Sequence, residues 1–270
     1  MEHIYDDIKN AKRIVIKVGT STLTYDTGKM NIKRIDNLAR VLSDLHNQGK
    51  EIILVSSGAI GIAVGKLGLS EKPKETSRKQ AAAAVGQCEL MYLYDKMFSE
   101  YNNTVAQILL TRDDIVIPRR KRNIQNTFYT LMEMGIIPIV NENDTVSADE
   151  IEIGDNDILS AHVAKLVDAD LLVLFSDIDG LYDHDPHAYA DAKLIPMVFD
   201  IGAVRNTAGG AGSRRGTGGM VTKMNAAGVA TDAGIHMVIA NGNDIFKLYD
   251  ILDGNPVGTL FVSKNFCDRS

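Results

Sequence analysis

Short, almost wholly apolar runs alternate along this chain with longer stretches whose apolar residues recur every three or four positions. That alternation constrains the fold more than any other feature. A run that is apolar at nearly every position has no face to turn to water, so both of its sides must be covered. Residues 13–18, 51–55, 105–110, 136–140, 170–175 and 236–240 read as such strands, and 258–262 as a last one. Residues 31–48, 77–101, 123–134, 157–167 and 217–233 read as helices. In the first helix Ile32, Ile35, Leu38, Leu42 and Leu45 form one apolar face; Asn31 can cap its start and Gly49 can end it. Pro138 predicts that its strand lies near an edge or an end of the sheet. Strands alternating with helices of this length predict an α/β fold with a mainly parallel sheet covered on both faces. A soft boundary falls near residue 170, and the one long glycine-rich polar stretch, 206–219, interrupts the second half.

Composition removes several function classes. The 270 residues, 45% hydrophobic and 24% charged, are enough to bury a real core and are not those of a disordered chain. The densest apolar run, 171–175, is far short of the ~18 residues a membrane helix needs. A net charge of -6 argues against a nucleic-acid partner. Two cysteines, Cys88 and Cys267, make no disulfide framework and no metal-ligand spacing. The polar start Met1-Glu2-His3-Ile4 lacks the features of a signal peptide, so a cytoplasmic location is expected.

In open parallel sheets, ligands bind beyond the carboxyl ends of the strands, and this is where the polar clusters of the chain fall. Lys17 sits in an otherwise apolar strand, just before Gly19. It is either a lysine whose stem packs while its head reaches water, or a charge aimed at a phosphate across a glycine turn. Ser57-Gly58 precedes a helical stretch whose first N–H groups suit an anion, although the pair is also an ordinary turn. Asn141-Glu142-Asn143-Asp144 and Gly154-Asp155-Asn156-Asp157 are two carboxylate and amide clusters. Such groups suit an ammonium, a Mg²⁺ ion, or both, and Asp157 at a helix start can hold a lysine in place. Gly216-Thr217-Gly218-Gly219-Met220-Val221-Thr222-Lys223 combines glycines at a helix start with a lysine one or two turns inside, which is phosphate-cradling chemistry. It is neither a P-loop nor a dinucleotide fingerprint. The basic run Arg119-Arg120-Lys121-Arg122 reads as the solvated start of a helix, and His184 and His187 lack a third metal ligand. Two lysines, glycine turns and acidic loops at strand ends point to phosphoryl transfer, in which catalysis is mostly positioning and cationic stabilisation.

These segments, with Gln80 to Gln87 and Ser176-Asp177-Ile178-Asp179-Gly180-Leu181-Tyr182, resemble the amino acid kinase family over almost the whole chain, and within it the glutamate 5-kinases. The Asn-Glu-Asn-Asp and Gly-Thr-Gly-Gly-Met segments carry the narrower resemblance. It implies a three-layer αβα sandwich with a mainly parallel central sheet of about eight strands. It implies one kinase domain over 1–270, in which 1–169 binds glutamate and 170–270 binds the nucleotide. The implied reaction is ATP plus L-glutamate giving ADP plus L-glutamate 5-phosphate, the first step of proline biosynthesis, with Mg²⁺ accompanying ATP. Carried over by motif, Ser57, Gly58, Asp144 and Asn156 hold glutamate, Asp144 meeting its α-amino group. Lys17 and Lys223 stabilise the moving phosphoryl group and Asp157 orients them. Lys17, Ser176, Asp177, Thr217, Gly218, Gly219, Met220, Val221, Thr222 and Lys223 hold ATP. A dimer or tetramer, feedback inhibition by proline, and hand-off of the product to a glutamate 5-phosphate reductase are further implications. Many bacterial members continue into a PUA domain, which is not expected in this sequence. Some carry a basic residue where this chain has Glu152.

Overall fold

A computed structural model describes residues 2–25, 29–146, 156–186, 188–208 and 218–267. The chain forms an α/β fold with an eight-stranded sheet in which every described strand pairing is parallel except one. Two compact units share it: residues 17–156, and residues 1–16 together with 157–270. The chain passes between them inside its first strand, β1 (Arg13–Val18), and again between Asn156 and Asp157. The resemblance implies a single division, between 169 and 170. The discontinuous division has a local cause. Asp170 Oδ2 accepts the backbone N–H groups of Lys12 and Arg13, each at 2.8 Å, and ties the N-terminal segment to the second half.

The continuous unit holds α2 (Thr20–Leu23), α3 (Ile32–Asn47), β2 (Glu51–Ser56), α4 (Ala59–Leu67), α5 (Thr76–Ser99), β3 (Val105–Leu110), α6 (Arg112–Val116), α7 (Pro118–Glu133) and β4 (Ile137–Glu142). Its strands run in the order β3-β4-β2, with the end of β1 next. Asn31 caps α3 as expected, its side chain accepting the Arg34 N–H at 3.1 Å. α7 starts five residues earlier than the apolar spacing predicts, because Pro118 pre-sets its first turn and needs no N–H there. The exposed basic run therefore occupies the start of α7, as read. Pro138 is the second residue of β4, near an end, but β4 itself lies between two strands rather than at an edge.

α4 is the helical stretch expected after Ser57-Gly58. It packs against α5 at one point of close approach. A Cβ on Gly86 would stand 1.7 Å from the Ala59 carbonyl oxygen, so only glycine lets the two backbones meet.

The discontinuous unit holds α1 (Glu2–Lys9), the start of β1, α8 (Asn156–Leu166, beginning one residue before the division), β5 (Leu171–Ser176), β6 (Met197–Val198), α9 (Ile201–Ala208), α10 (Gly218–Asp232), β7 (His236–Asn241), α11 (Lys247–Leu252), β8 (Thr259–Phe261) and α12 (Lys264–Cys267). From β1 its order is β5-β7-β8-β6, and β8 runs antiparallel to β7. All of β5 is buried, which explains its unbroken apolar sequence. α1, absent from the sequence reading, buries Ile4 and Ile8 and packs on α11. Among the described residues no helix is long and apolar enough to cross a membrane.

Candidate active site

In the continuous unit, polar groups collect where β1, β2 and β4 end. Lys17 is 5% exposed, and its Nζ lies 3.8 Å from where a Cβ on Gly19 would stand, so the ammonium rests against a bare turn. The next turn begins at Ser57, whose N–H donates to the Val18 carbonyl at 3.1 Å. Gly58 follows with φ +105°, a conformation that favours glycine, and precedes the first N–H groups of α4. Asn156 reaches this turn from the head of α8. Its Nδ2 donates to Ser57 Oγ at 2.8 Å, to the Ser56 carbonyl at 3.1 Å and to Asn141 Oδ1 at 2.9 Å. Behind it, Ser56 Oγ and the Tyr94 hydroxyl share a hydrogen bond of 2.8 Å, and burial pushes the Tyr94 phenol well above its ordinary value. Asp144, just past β4, is half-buried, and loss of solvent raises its carboxyl above the ordinary 3.8. A carboxylate in that condition gains from a cationic ligand. Three of the four residues expected to hold an amino acid, Ser57, Gly58 and Asn156, therefore stand together, and Asp144 follows Asn141, to which Asn156 bonds.

In the discontinuous unit, a second cluster forms where α8 and α10 begin. Asp157 is fully buried in the first turn of α8, a position that favours negative charge. It receives Lys223 from the second turn of α10, with Nζ 3.0 Å from Oδ2. Lys223 is 9% exposed, and its Nζ also donates to the Gly219 carbonyl at 3.2 Å. Thr222 Oγ1 donates to that carbonyl at 2.9 Å and stands 3.4 Å from Asp157 Oδ2. As Lys17 does at Gly19, Lys223 Nζ lies against glycine, 3.7 Å from a Cβ position on Gly219. Met220 is half-buried and Val221 exposed in the first turns of α10. Ser176 ends β5, and its hydroxyl donates to Asp177 Oδ1 at 2.9 Å. Gly218 opens α10, whereas Thr217, the Gly154-Asp155 pair and Glu152 lie outside the described residues.

The expected pairing of Asp157 with Lys223 is thus present. Lys17 belongs to the other unit.

Two sets of contacts have no counterpart in the sequence pattern. Asn141, from the Asn-Glu-Asn-Asp cluster at the end of β4, and Gln87, from the 80–87 segment in α5, extend the Asn156 network, where neither is expected as a site residue. Asp179 accepts Asn241 Nδ2 at 3.0 Å, with Lys247 Nζ at 3.9 Å, forming a polar group beyond β5 and β7. No spacing in the sequence connects those three.

The profile described as "Amino acid kinase family" matches residues 12–241. The chain belongs to the amino acid kinase family. Among curated amino acid kinases it is 58% identical to the glutamate 5-kinase of Clostridium perfringens over 262 residues, covering 95% of this chain and 97% of that one. It is 54% identical to the glutamate 5-kinase of Clostridium acetobutylicum over 259 residues, covering 96% and 97%. The UMP kinase of Ureaplasma parvum matches in structure with a TM-score of 0.66 at 14% identity, over 94% of this chain and 100% of that one. That likeness shows the fold of an amino acid kinase and nothing finer.

Proposed function

We propose that this amino acid kinase transfers the γ-phosphoryl group of ATP to the side-chain carboxylate of L-glutamate, giving ADP and L-glutamate 5-phosphate. The observation that carries the reading is the buried Lys223–Asp157 pair at the heads of two helices, in a chain 58% identical to a glutamate 5-kinase. A carboxylate acceptor, with a pKa near ~4.3, is already ionised at neutral pH. It attacks the γ-phosphorus, the bond to the β–γ bridging oxygen breaks, and no proton has to move. The difficulty is the approach of two anions, which cations and helix N-termini offset.

Lys17 and Lys223 act on the same phosphoryl group in this reading, and Asp157 fixes the Lys223 ammonium. Asp144 meets the α-ammonium of glutamate, Ser57 and Asn156 complete its pocket, and Gly58 brings the first N–H groups of α4 to a carboxylate. Gly218, Gly219, Met220, Val221 and Thr222 of α10, with Ser176 and Asp177, hold the nucleotide. Among the described residues no cluster of three or more His, Cys, Asp or Glu side chains could hold a metal. Two ammonium groups cannot ligate a cation and the Asp157 carboxylate is held by Lys223, which suits Mg²⁺ that arrives on ATP, held chiefly by phosphate oxygens and water. A cytoplasmic setting, a homo-oligomer, inhibition by proline and delivery of the labile acyl phosphate to a reductase belong to the same reading.

The test is a trapping assay. Protein, ATP, Mg²⁺ and hydroxylamine form the hydroxamate with free L-glutamate. Turnover confined to N-acetylglutamate or carbamate would refute the assignment.

A further inference from the structure

We infer that Gln87 is a positioning residue, which holds the Asn141 amide so that Asn156 meets the amino-acid substrate with its oxygen rather than its nitrogen. The inference rests on the glutamate reading above and adds to it the direction of one contact.

The argument is an account of amide protons. The backbone N–H of Glu142 donates to Asn141 Oδ1 at 2.9 Å. A backbone N–H can only donate, so this bond fixes which end of the Asn141 amide is oxygen. Asn141 Nδ2 is then the donor and finds Gln87 Oε1 at 2.8 Å. Asn141 Oδ1 also accepts Asn156 Nδ2 at 2.9 Å. The Ser56 carbonyl at 3.1 Å, which can only accept, requires the same orientation of Asn156. Ser57 Oγ, at 2.8 Å, is a third acceptor, so the two protons of Asn156 Nδ2 are shared among three protein oxygens and Oδ1 is what Asn156 has left to offer. An oxygen suits a donor such as the α-ammonium and would repel a carboxylate. This oxygen joins the Asp144 carboxylate in favouring a ligand with a free amino group.

Gln87 shows the cost of the arrangement. It is 8% exposed, its Oε1 is committed to Asn141, and its Nε2 is buried without a hydrogen-bond partner. An unmatched buried donor is destabilising, so a glutamine here is not explained by packing alone. Its neighbour Gly86 presses α5 against the start of α4, which explains how a helix side chain reaches the end of β4.

The experiment compares wild type, Gln87→Met and Gln87→Glu. For each, KM is measured for glutamate and for MgATP, together with the inhibition constant of glutarate, which is glutamate without its amino group. Melting temperatures are recorded on the same preparations. Gln87→Met removes the acceptor for Asn141 and is expected to raise the glutamate KM about tenfold, the scale of one hydrogen bond to a charged group. The glutarate constant and the MgATP KM stay unchanged. Gln87→Glu keeps the acceptor and restores the glutamate KM. An equal loss for glutarate, an unchanged glutamate KM in Gln87→Met, or a Gln87→Glu variant as weak as Gln87→Met overturns the inference. Wild-type protein that does not turn over glutamate refutes the proposed function itself and is distinguished by that control. If Gln87→Met folds poorly, Gln87→Ala carries the same expectations.

Discussion

Replacing Gly86 by alanine tests how tightly the α4–α5 contact is built. Helix propensity alone predicts a gain of about 1 kcal/mol, because alanine is the better residue in a helix interior. The contact predicts the opposite. The new Cβ would stand 1.7 Å from the Ala59 oxygen, 2.6 Å from its carbonyl carbon and 3.1 Å from the Ala63 nitrogen. Ordinary contact begins near 3.4 Å, so the start of α4 must retreat by about 1.7 Å. The obstacle is backbone rather than the tip of a flexible side chain, which places the overpacking cost near ~3 kcal/mol. Net destabilisation is then about 2 kcal/mol, or a melting point lower by roughly 4–8 °C in a domain of this size.

The matched control is Gly228→Ala in α10, where a Cβ meets nothing within 4 Å and the propensity gain stands alone. That variant is expected to melt about 2–4 °C higher than wild type. Because Ala59 adjoins Gly58, Gly86→Ala is also expected to lower kcat/KM for glutamate by ~10²-fold, the scale of a 1 Å misplacement. Thermal melts and steady-state kinetics on the two variants decide the matter. A Gly86→Ala protein that melts at or above wild type with full activity would show that the close approach is not what holds this turn.

Three further outcomes follow from the site. Lys223→Met is expected to lower kcat by ~10² or more. It is also expected to destabilise the protein by ~3 kcal/mol, because Asp157 is left buried without its cation. Combining it with Asp157→Asn recovers stability but not activity; recovery of both, read by melting and by the hydroxamate assay, would make the pair merely structural. Burial raises the Asp144 carboxyl in the free protein, so the native state holds its proton more tightly than the unfolded chain and this group's contribution declines as pH rises through the carboxylate range. Asp144→Asn should therefore melt higher than wild type at pH 7 while its glutamate KM rises; a lower melting point would contradict the sign. His236 is buried, its Nδ1 accepts the Ser263 N–H at 3.2 Å, and burial outweighs Asp7 to lower its pKa from 6.5. Stability from this neutral ring is complete above pH 6.5 and lost as pH falls below it, so His236→Gln should flatten the melting curve between pH 7 and 5.

Much of this architecture was legible because strands buried on both faces leave an unmistakable apolar signature. Residues 13–18 were bounded to the residue for that reason, whereas 105–110, bounded as well, form an edge strand that is only part-buried. The extent of α4 was not legible. Ser57-Gly58 marks its start, but Gly61 and Ala63 gave it no periodic face, because its packing on α5 depends on backbone proximity rather than on bulky side chains. β6 has only two residues and pairs through β8, so its existence depends on a partner far along the chain. At the site, Lys17 was conspicuous because charge in an apolar strand demands an explanation, Lys223 because it follows a glycine-rich helix start, and Asp157 because it stands in an acidic and amide cluster. The parts played by Gln87 and Asn141 were not legible, because a neutral amide is unremarkable until its partners are known. The Asn141 orientation depends on the Glu142 N–H, which no residue pattern displays.

The passage of the chain through β1 also bears on synthesis. Residues 17–156 form a contiguous unit that a ribosome releases in one piece, whereas residues 1–16 belong with partners that begin at Asp157. Residues 1–16 are made before that unit, so the side of β1 that meets β5, with Ile14, Val15 and Ile16, is not completed until translation has delivered β5. Nascent chains truncated shortly before residue 171 would carry a folded middle and a leading strand with its β5 edge still open, prone to aggregation.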